Sequence, residues 1–289
     1  MRAMVLAAGL GTRLRPLTDN LPKALVEIDG RTLLEITLER LRRFGVREAI
    51  VNLHHLADMV ERHIEARGGF GMRIEISREP DLLDTGGGLR KAAWFFLEDP
   101  DRLDEPFILH NVDVISSIDL ERMRQFHVEQ QALATLAVLD RPSSRPLVFD
   151  EEGLLSGHRV GDTAHVVRDR RGAEELEFTG IHIVTPRLLP LLDRVAGLPA
   201  TGIRRFPIIP AYLELAASGR RILAFRADRY SWRDVGSSES LARARAEWPE
   251  DRSEGQTPRS VPEHADRPQR QRRHVGDQQD RREKDEDIR

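Results

Sequence analysis

Four short strand-like runs alternating with amphipathic stretches, all before residue 120, constrain the fold of this chain more than anything else in it. Residues 3–8 (AMVLAA) form an apolar run that ends in glycines. Residues 32–44 (TLLEITLERLRRF) set Leu34, Leu38 and Leu41 at helical spacing with Arg and Glu on the other face, and Gly45 supplies the stop. A strand is expected at 49–53 (AIVNL), a helix at 56–66 and a strand by alternation at 72–77 (MRIEIS). After three glycines, a helix is expected at 89–96 and a fourth buried strand at 107–110. This β-α-β-α order predicts an α/β fold built on a doubly wound, mostly parallel, Rossmann-like sheet. Ligands of such sheets bind beyond the carboxyl ends of the strands. The segments 9–23, 84–88 and 111–114 each follow one of these runs and read as loops.

Beyond residue 120 the pattern changes. Strands are expected at 133–139, 147–149, 165–167 and 178–184 without regular helices between them, as an added, partly antiparallel region closing over a substrate. Helices at 187–195 and 208–218 and a strand at 222–226 complete a folded part, 1–248, that divides near residue 120. Residues 249–289 carry almost no large apolar side chain, cannot offset chain entropy by burial, and are expected to be a disordered charged tail. Its basic stretch, 267–274, reads as part of a solvated tail of mixed sign.

The formal net charge of -3 gives no general attraction to nucleic acid or anionic membrane, so neither partner is expected. Without a single Cys, disulfides, thiolate metal sites and cysteine catalysis are excluded. No run approaches the roughly 18 apolar residues of a membrane span. The apolar run near Met1 is too short for a secretory signal, so a cytoplasmic protein is expected.

The densest chemistry lies in LAAGLGTRLRPLT, residues 6–18, followed by LPKAL at 21–25. Gly9 and Gly11 allow backbone N–H groups to approach phosphate oxygens. Arg13 offers a planar fork for the same oxygens, and Lys23, set by Pro22, adds a point charge. No Gly-Lys-Ser/Thr closes this loop, so it is not a P-loop. Leu14 stands where a dinucleotide fingerprint needs its third glycine, and the second strand ends near Asn52 rather than an acid; both disfavour a dinucleotide-dependent oxidoreductase.

Together with VEIDG, residues 26–30, this run resembles the signature of the sugar-1-phosphate nucleotidyltransferases, and the resemblance covers about residues 1–245. It implies a nucleotide-binding part at 1–120, a sugar-phosphate-binding part at 121–248, and a nucleotide-diphospho-sugar transferase type of sheet. By the motif match, Ala8, Gly9, Gly11, Thr12, Arg13 and Lys23 hold the triphosphate. The run Asp84-Thr85-Gly86-Gly87-Gly88 resembles the segment that lies against base and ribose, which assigns Thr85, Gly86 and Gly87 to the nucleotide. His110-Asn111-Val112-Asp113 resembles the family's Asn-Gly-Asp, with Val112 in place of the glycine. Ser231-Trp232-Arg233-Asp234-Val235-Gly236 resembles its W-x-D-x-G. The resemblance makes Asp113 and Asp234 ligands of Mg²⁺, the implied cofactor, and makes Arg13, Lys23 and Asp113 catalytic. On the sugar-phosphate side it points to Asn111, Thr179 and Gly180. The family's Glu-Lys-Pro is missing, and Arg145 or Arg159 is expected to replace its lysine.

The activity so implied joins an NTP, UTP or GTP, to a sugar 1-phosphate by in-line attack on the α-phosphate, giving an NDP-sugar and pyrophosphate. The short length and the triple glycine resemble the uridylyl- and guanylyltransferase branches of the family. The alternative is a catalytically silent homologue that binds sugar nucleotide and regulates a partner; Val112 and the missing Glu-Lys-Pro favour it, and retention of both carboxylates opposes it.

Overall fold

The computed structural model of the chain describes residues 1–168, 171–195 and 204–254, with side chains as far as Glu247. Its first half alternates strand and helix: β1 (Arg2–Leu6), the short hairpin β2 (Glu27–Ile28) and β3 (Arg31–Thr32), α1 (Leu33–Arg43), β4 (Glu48–Leu53), α2 (Ala57–Ala66), β5 (Arg73–Arg78), α3 (Asp84–Lys91), α4 (Ala93–Leu97) and β6 (Phe107–Asn111). There follow β7 (Val114–Ser116), α5 (Leu120–Glu129), β8 (Ala134–Leu139), β9 (Leu147–Phe149), β10 (Leu155–Val160), β11 (Thr163–Val166) and β12 (Glu174–Val184). The remaining elements are α6 (Leu189–Leu192), α7 (Ile208–Ala217), β13 (Ile222–Arg226), β14 (Trp232–Asp234) and α8 (Ser238–Glu254).

β5, β4, β1 and β6 lie side by side and parallel. β12 runs against both β6 and β8, and β13 is parallel to β8. The sheet is thus mostly parallel with one reversed strand, as the element order predicts. The early half of β12 pairs with β9, and β9, β10 and β11 extend it as an antiparallel flap. Along β12 the pairing with β8 shifts register between Phe178 and His182. Such irregularities bend a strand and re-aim its side chains.

Side-chain alternation along β1 explains why helices cover both faces. Ala3 and Val5 join one core with Leu34, Leu38 and Leu41 of α1, whereas Met4 joins the other with Leu89, Phe95 and Phe96. Helix α1 starts where Thr32 and Glu35 form a reciprocal capping box, which satisfies two otherwise orphaned donors.

Four expectations change. The glycines 86–88 belong to α3 rather than to a loop before a helix. Residues 187–195 hold a single short turn of 3-10 helix and the four-residue α6, with Pro190 inside it, instead of one helix. β10 was not expected, because Gly157-His158-Arg159 breaks the apolar pattern. The last helix runs to Glu254, past the expected boundary at 248, and the rest of the charged tail, 267–274 included, lies outside the described residues.

Candidate active site

β1 leads through α1 to β4 on one side, while β6 lies on its other side, so the carboxyl ends of β1 and β6 flank a topological switch point. The chain leaving β1 there forms three short 3-10 turns rather than one helix. From Gly9 to Arg13, no backbone N–H finds an acceptor among the described residues. Orphaned donors grouped in this way form a concavity for anions. Gly11 sets the shape: its φ of 64° is left-handed, and a Cβ would come within 2.9 Å of Thr18 Cγ2. The Thr18 hydroxyl donates to Gly11 O at 2.7 Å and pins the turn.

The chain leaving β6 carries the first carboxylate. β14 pairs with β7 so that Asp234 lies opposite Val114, and Val235 N–H donates to Asp113 O at 2.9 Å. Gly236 gives the convergence a measure. A Cβ built there would lie 2.7 Å from Asp234 Oδ1, 2.8 Å from Asp113 Oδ2 and 2.7 Å from an Arg13 guanidinium nitrogen. The two carboxylate oxygens are therefore separated by no more than the first two distances together, although Asp113 lies in the turn between β6 and β7 and Asp234 ends β14. Lys23 Nζ donates to Asp113 Oδ2 in a mostly buried ion pair. Arg13 lies 3.7 Å from Asp234 Oδ2 in a more exposed pair.

Among the described residues, no group of three or more His, Cys, Asp or Glu side chains converges as a metal cage. Two carboxylates at one point, with neither nitrogen nor sulfur donors, suit a hard divalent cation that keeps waters and substrate phosphates as its other ligands. The donor set therefore fits Mg²⁺.

Val112 does not open the site as a glycine would. Its side chain is buried in the core below, its N–H donates to Leu6 O at 3.1 Å, and Asp113 still faces the switch point. Under this turn, Arg40 of α1 donates to Ile118 O and approaches the His110 ring at 3.4 Å. Burial, reinforced by Arg40, lowers the His110 pKa to about 3, so the ring is neutral. Its Nδ1 donates to Asn111 O at 2.7 Å and leaves Nε2 to accept from Arg40.

The residues expected to face the sugar meet at Gly180, whose φ of 80° falls within the register shift of β12. A Cβ there would lie 2.6 Å from Asn111 Nδ2, so Asn111 and Gly180 are in contact. The Thr179 hydroxyl points elsewhere, donating to Ala137 O at 2.8 Å, while Thr179 O accepts from Trp232 Nε1 at 2.8 Å. Arg159 is held by Glu175 on the outer flap, and no contact joins Arg159 or Arg145 to the cluster among the described residues. Arg141, which sequence reasoning passed over, places its guanidinium over the ring of Trp232, two residues before Asp234.

The glycines of α3 face protein. Gly86 and Gly87 N–H both donate to Phe206 O, at 2.9 and 3.1 Å, and Thr85 Oγ1 accepts from Ile208 N–H at 3.0 Å. A Cβ at Gly86 or Gly87 would collide with Phe206 or Arg204. Sequence reasoning also missed a buried brace. Asn52 accepts from Ala7 N–H at 2.8 Å and donates to Glu79 at 2.7 Å, and Glu79 accepts from Leu83 N–H at 2.9 Å. The chain leaving β1 and the start of α3 are thereby tied together.

Residues 2–149, just over half of the chain, match the family model described as nucleotidyl transferase. The chain belongs to that family. It is 35% identical over 254 residues to an N-acetylmuramate alpha-1-phosphate uridylyltransferase of Caulobacter vibrioides, covering 84% of this chain and 95% of that relative. A mannose-1-phosphate guanylyltransferase catalytic subunit beta of Xenopus tropicalis is 35% identical over 82% of this chain, which spans only 61% of that relative. Among solved structures, HddC from Yersinia pseudotuberculosis complexed with GMP-PN superposes with a TM-score of 0.63 at 20% identity, over 86% of this chain and 99% of that one. An apo UDP-glucose pyrophosphorylase gives 0.67 at 17% identity, over 87% and 98%. At such identities the likeness concerns the fold, and the fold is that of the family.

Proposed function

We propose that this chain is a Mg²⁺-dependent sugar-1-phosphate nucleotidyltransferase, with UTP the first nucleotide to test and GTP the second. The observation that carries this reading is the convergence of Asp113 and Asp234, each beside one cation of the phosphate loop. UTP comes first because the likeness to the uridylyltransferase of Caulobacter vibrioides extends over 95% of that relative. A cytoplasmic location accords with these substrates, and no helix among the described residues is long and apolar enough to cross a membrane.

In this reading the free N–H groups from Gly9 to Arg13 receive the triphosphate. An oxygen of the sugar 1-phosphate attacks the α-phosphorus, and the bond from that phosphorus to the oxygen it shares with the β-phosphorus breaks, so that this oxygen leaves as a terminal oxygen of pyrophosphate. Arg13 and Lys23 offset the charge that builds on the departing pyrophosphate, so catalysis is positioning and charge neutralisation. Asp113 and Asp234 would hold Mg²⁺, which would supply positive charge to the reacting phosphates. Asn111 and Gly180 border the sugar. The silent-binder alternative loses its clearest support, since Val112 packs downward without displacing Asp113. Pyrophosphate release, screened with each NTP against a panel of sugar 1-phosphates, tests the proposal. Release with at least one pair is expected, and none with any pair would return the chain to the binder reading.

A further inference from the structure

Arg141 stands just past β8, with its guanidinium carbon 4.2 Å from the centroid of the Trp232 ring. Its Nε donates to Glu177, and its two terminal nitrogens find no acceptor among the described residues. A guanidinium stacked on indole keeps its edge free for planar, two-point contacts with phosphate or carboxylate, and the stack holds the edge in place.

Its surroundings join it to the site. Trp232 Nε1 donates to Thr179 O, and the next residue, Gly180, touches Asn111, two positions before Asp113. Trp232 and Asp234 alternate onto the same face of β14, so the indole and the carboxylate flank the same space about 6–7 Å apart along the strand. Arg13 and Lys23 reach the carboxylates from the loop after β1, whereas Arg141 is stacked on Trp232. Arg159 is already held by Glu175.

We propose that Arg141, held on Trp232, is the anion contact for the sugar phosphate and fills the place of the missing lysine. This rests on the nucleotidyltransferase reading. The anion is the 1-phosphate itself or a carboxylate borne by the sugar, and both present paired oxygens to the same edge. Because Arg141 is half-exposed, Arg141→Gln and Arg141→Lys are expected to fold like the unaltered chain.

The test is steady-state pyrophosphate release with a neutral sugar 1-phosphate and a carboxylate-bearing one, with thermal melting of each variant alongside. Arg141→Gln should raise the KM for sugar phosphate by about tenfold or more, as a lost charge-assisted contact would. The KM for NTP and the melting temperature should stay unchanged, and Arg141→Lys should recover part of the loss. An equal loss with both sugars assigns the 1-phosphate; a loss confined to the acidic sugar assigns the carboxylate. Unaltered sugar-phosphate kinetics in Arg141→Gln, with the unaltered enzyme active, would overturn the assignment of Arg141 alone. An unaltered chain inactive with every sugar 1-phosphate would overturn the activity and this assignment with it.

Discussion

Lys23 and Asp113, ninety residues apart in the chain, form an ion pair at the point where the phosphate loop meets the end of β6. Arg13 stands against Asp234 in the same way. In the ligand-free chain, each carboxylate suited to a metal is therefore neutralised by a cation suited to phosphate. In the proposed reading, a triphosphate arriving with its own divalent ion would exchange the partners, drawing Lys23 and Arg13 onto phosphate and giving the carboxylates to the metal.

One consequence concerns order of binding. Metal alone must compete with Lys23 and Arg13, whereas metal with nucleotide does not. Mn²⁺ titrated by electron paramagnetic resonance should bind the protein at least about tenfold more tightly with UTP present, a difference near 1.4 kcal/mol. The comparison must discount Mn²⁺ held by free UTP. Equal affinity with and without nucleotide would show that the ion pairs do not guard the carboxylates.

The two cations should separate kinetically. Arg13 is well exposed and lies next to the open N–H groups, so Arg13→Ala should chiefly raise the KM for NTP. Lys23 is mostly buried beside Asp113, and Lys23→Ala should chiefly lower kcat if it acts on charge that develops in the transition state. Initial rates over a grid of NTP and sugar phosphate decide this, and turnover like the unaltered enzyme in both variants contradicts the phosphate-loop assignment.

Acid should weaken the fold through histidines before carboxylates matter. Burial lowers the His182 pKa to about 3 and that of His127 to about 4. Both fall below the unfolded value near 6.5, so the unfolded chain takes up protons first. Their contribution is fully present above about pH 6.5 and is lost as pH falls toward the folded pKa values. At about pH 5 the loss is on the order of 2 kcal/mol per histidine. Melting temperature should therefore drop between about pH 6.5 and 5, and His127→Asn should flatten that slope even where it lowers stability throughout. A melting temperature level across this window would contradict the burial of these rings in neutral form.

Gly180 offers a test of the sugar side. An alanine there must hold a left-handed backbone and displace Asn111, a cost of about 1 kcal/mol or more. Gly180→Ala should lower the melting temperature by about 2–4 °C and raise the KM for sugar phosphate more than that for NTP. An equal effect on both substrates would place Gly180 outside the sugar side.

What could be read from the chain follows from where the information lies. The parallel half was legible because Leu34, Leu38 and Leu41 announce the covered face of α1 and short apolar runs announce β1, β4 and β6. The loop proposed to hold phosphate stands out in sequence because its glycines, Arg13 and Pro22-Lys23 sit within one continuous stretch. The start of α3 was not legible: glycines disfavour helix locally, and the close approach of Phe206 to Gly86, Arg204 to Gly87, and Asn52 with Glu79 to Gly88 explains them. The Asn52–Glu79 brace and the stack of Arg141 on Trp232 join distant segments without any periodic signal. Arg145 and Arg159 lie near the missing motif in sequence, whereas an ion pair across β9 ties Arg159 of β10 to Glu175 of β12.

The sharing of one ion by Asp113 and Asp234 is tested most directly by kcat/KM of Asp113→Asn, Asp234→Asn and the double variant, at saturating Mg²⁺. Each single change should cost at least about a hundredfold, near 2.7 kcal/mol, and the double should be little worse than the more damaged single, since the two carboxylates act as a unit. Activity within a few-fold of the unaltered enzyme in either single variant, or losses that multiply in the double, would contradict a shared ion.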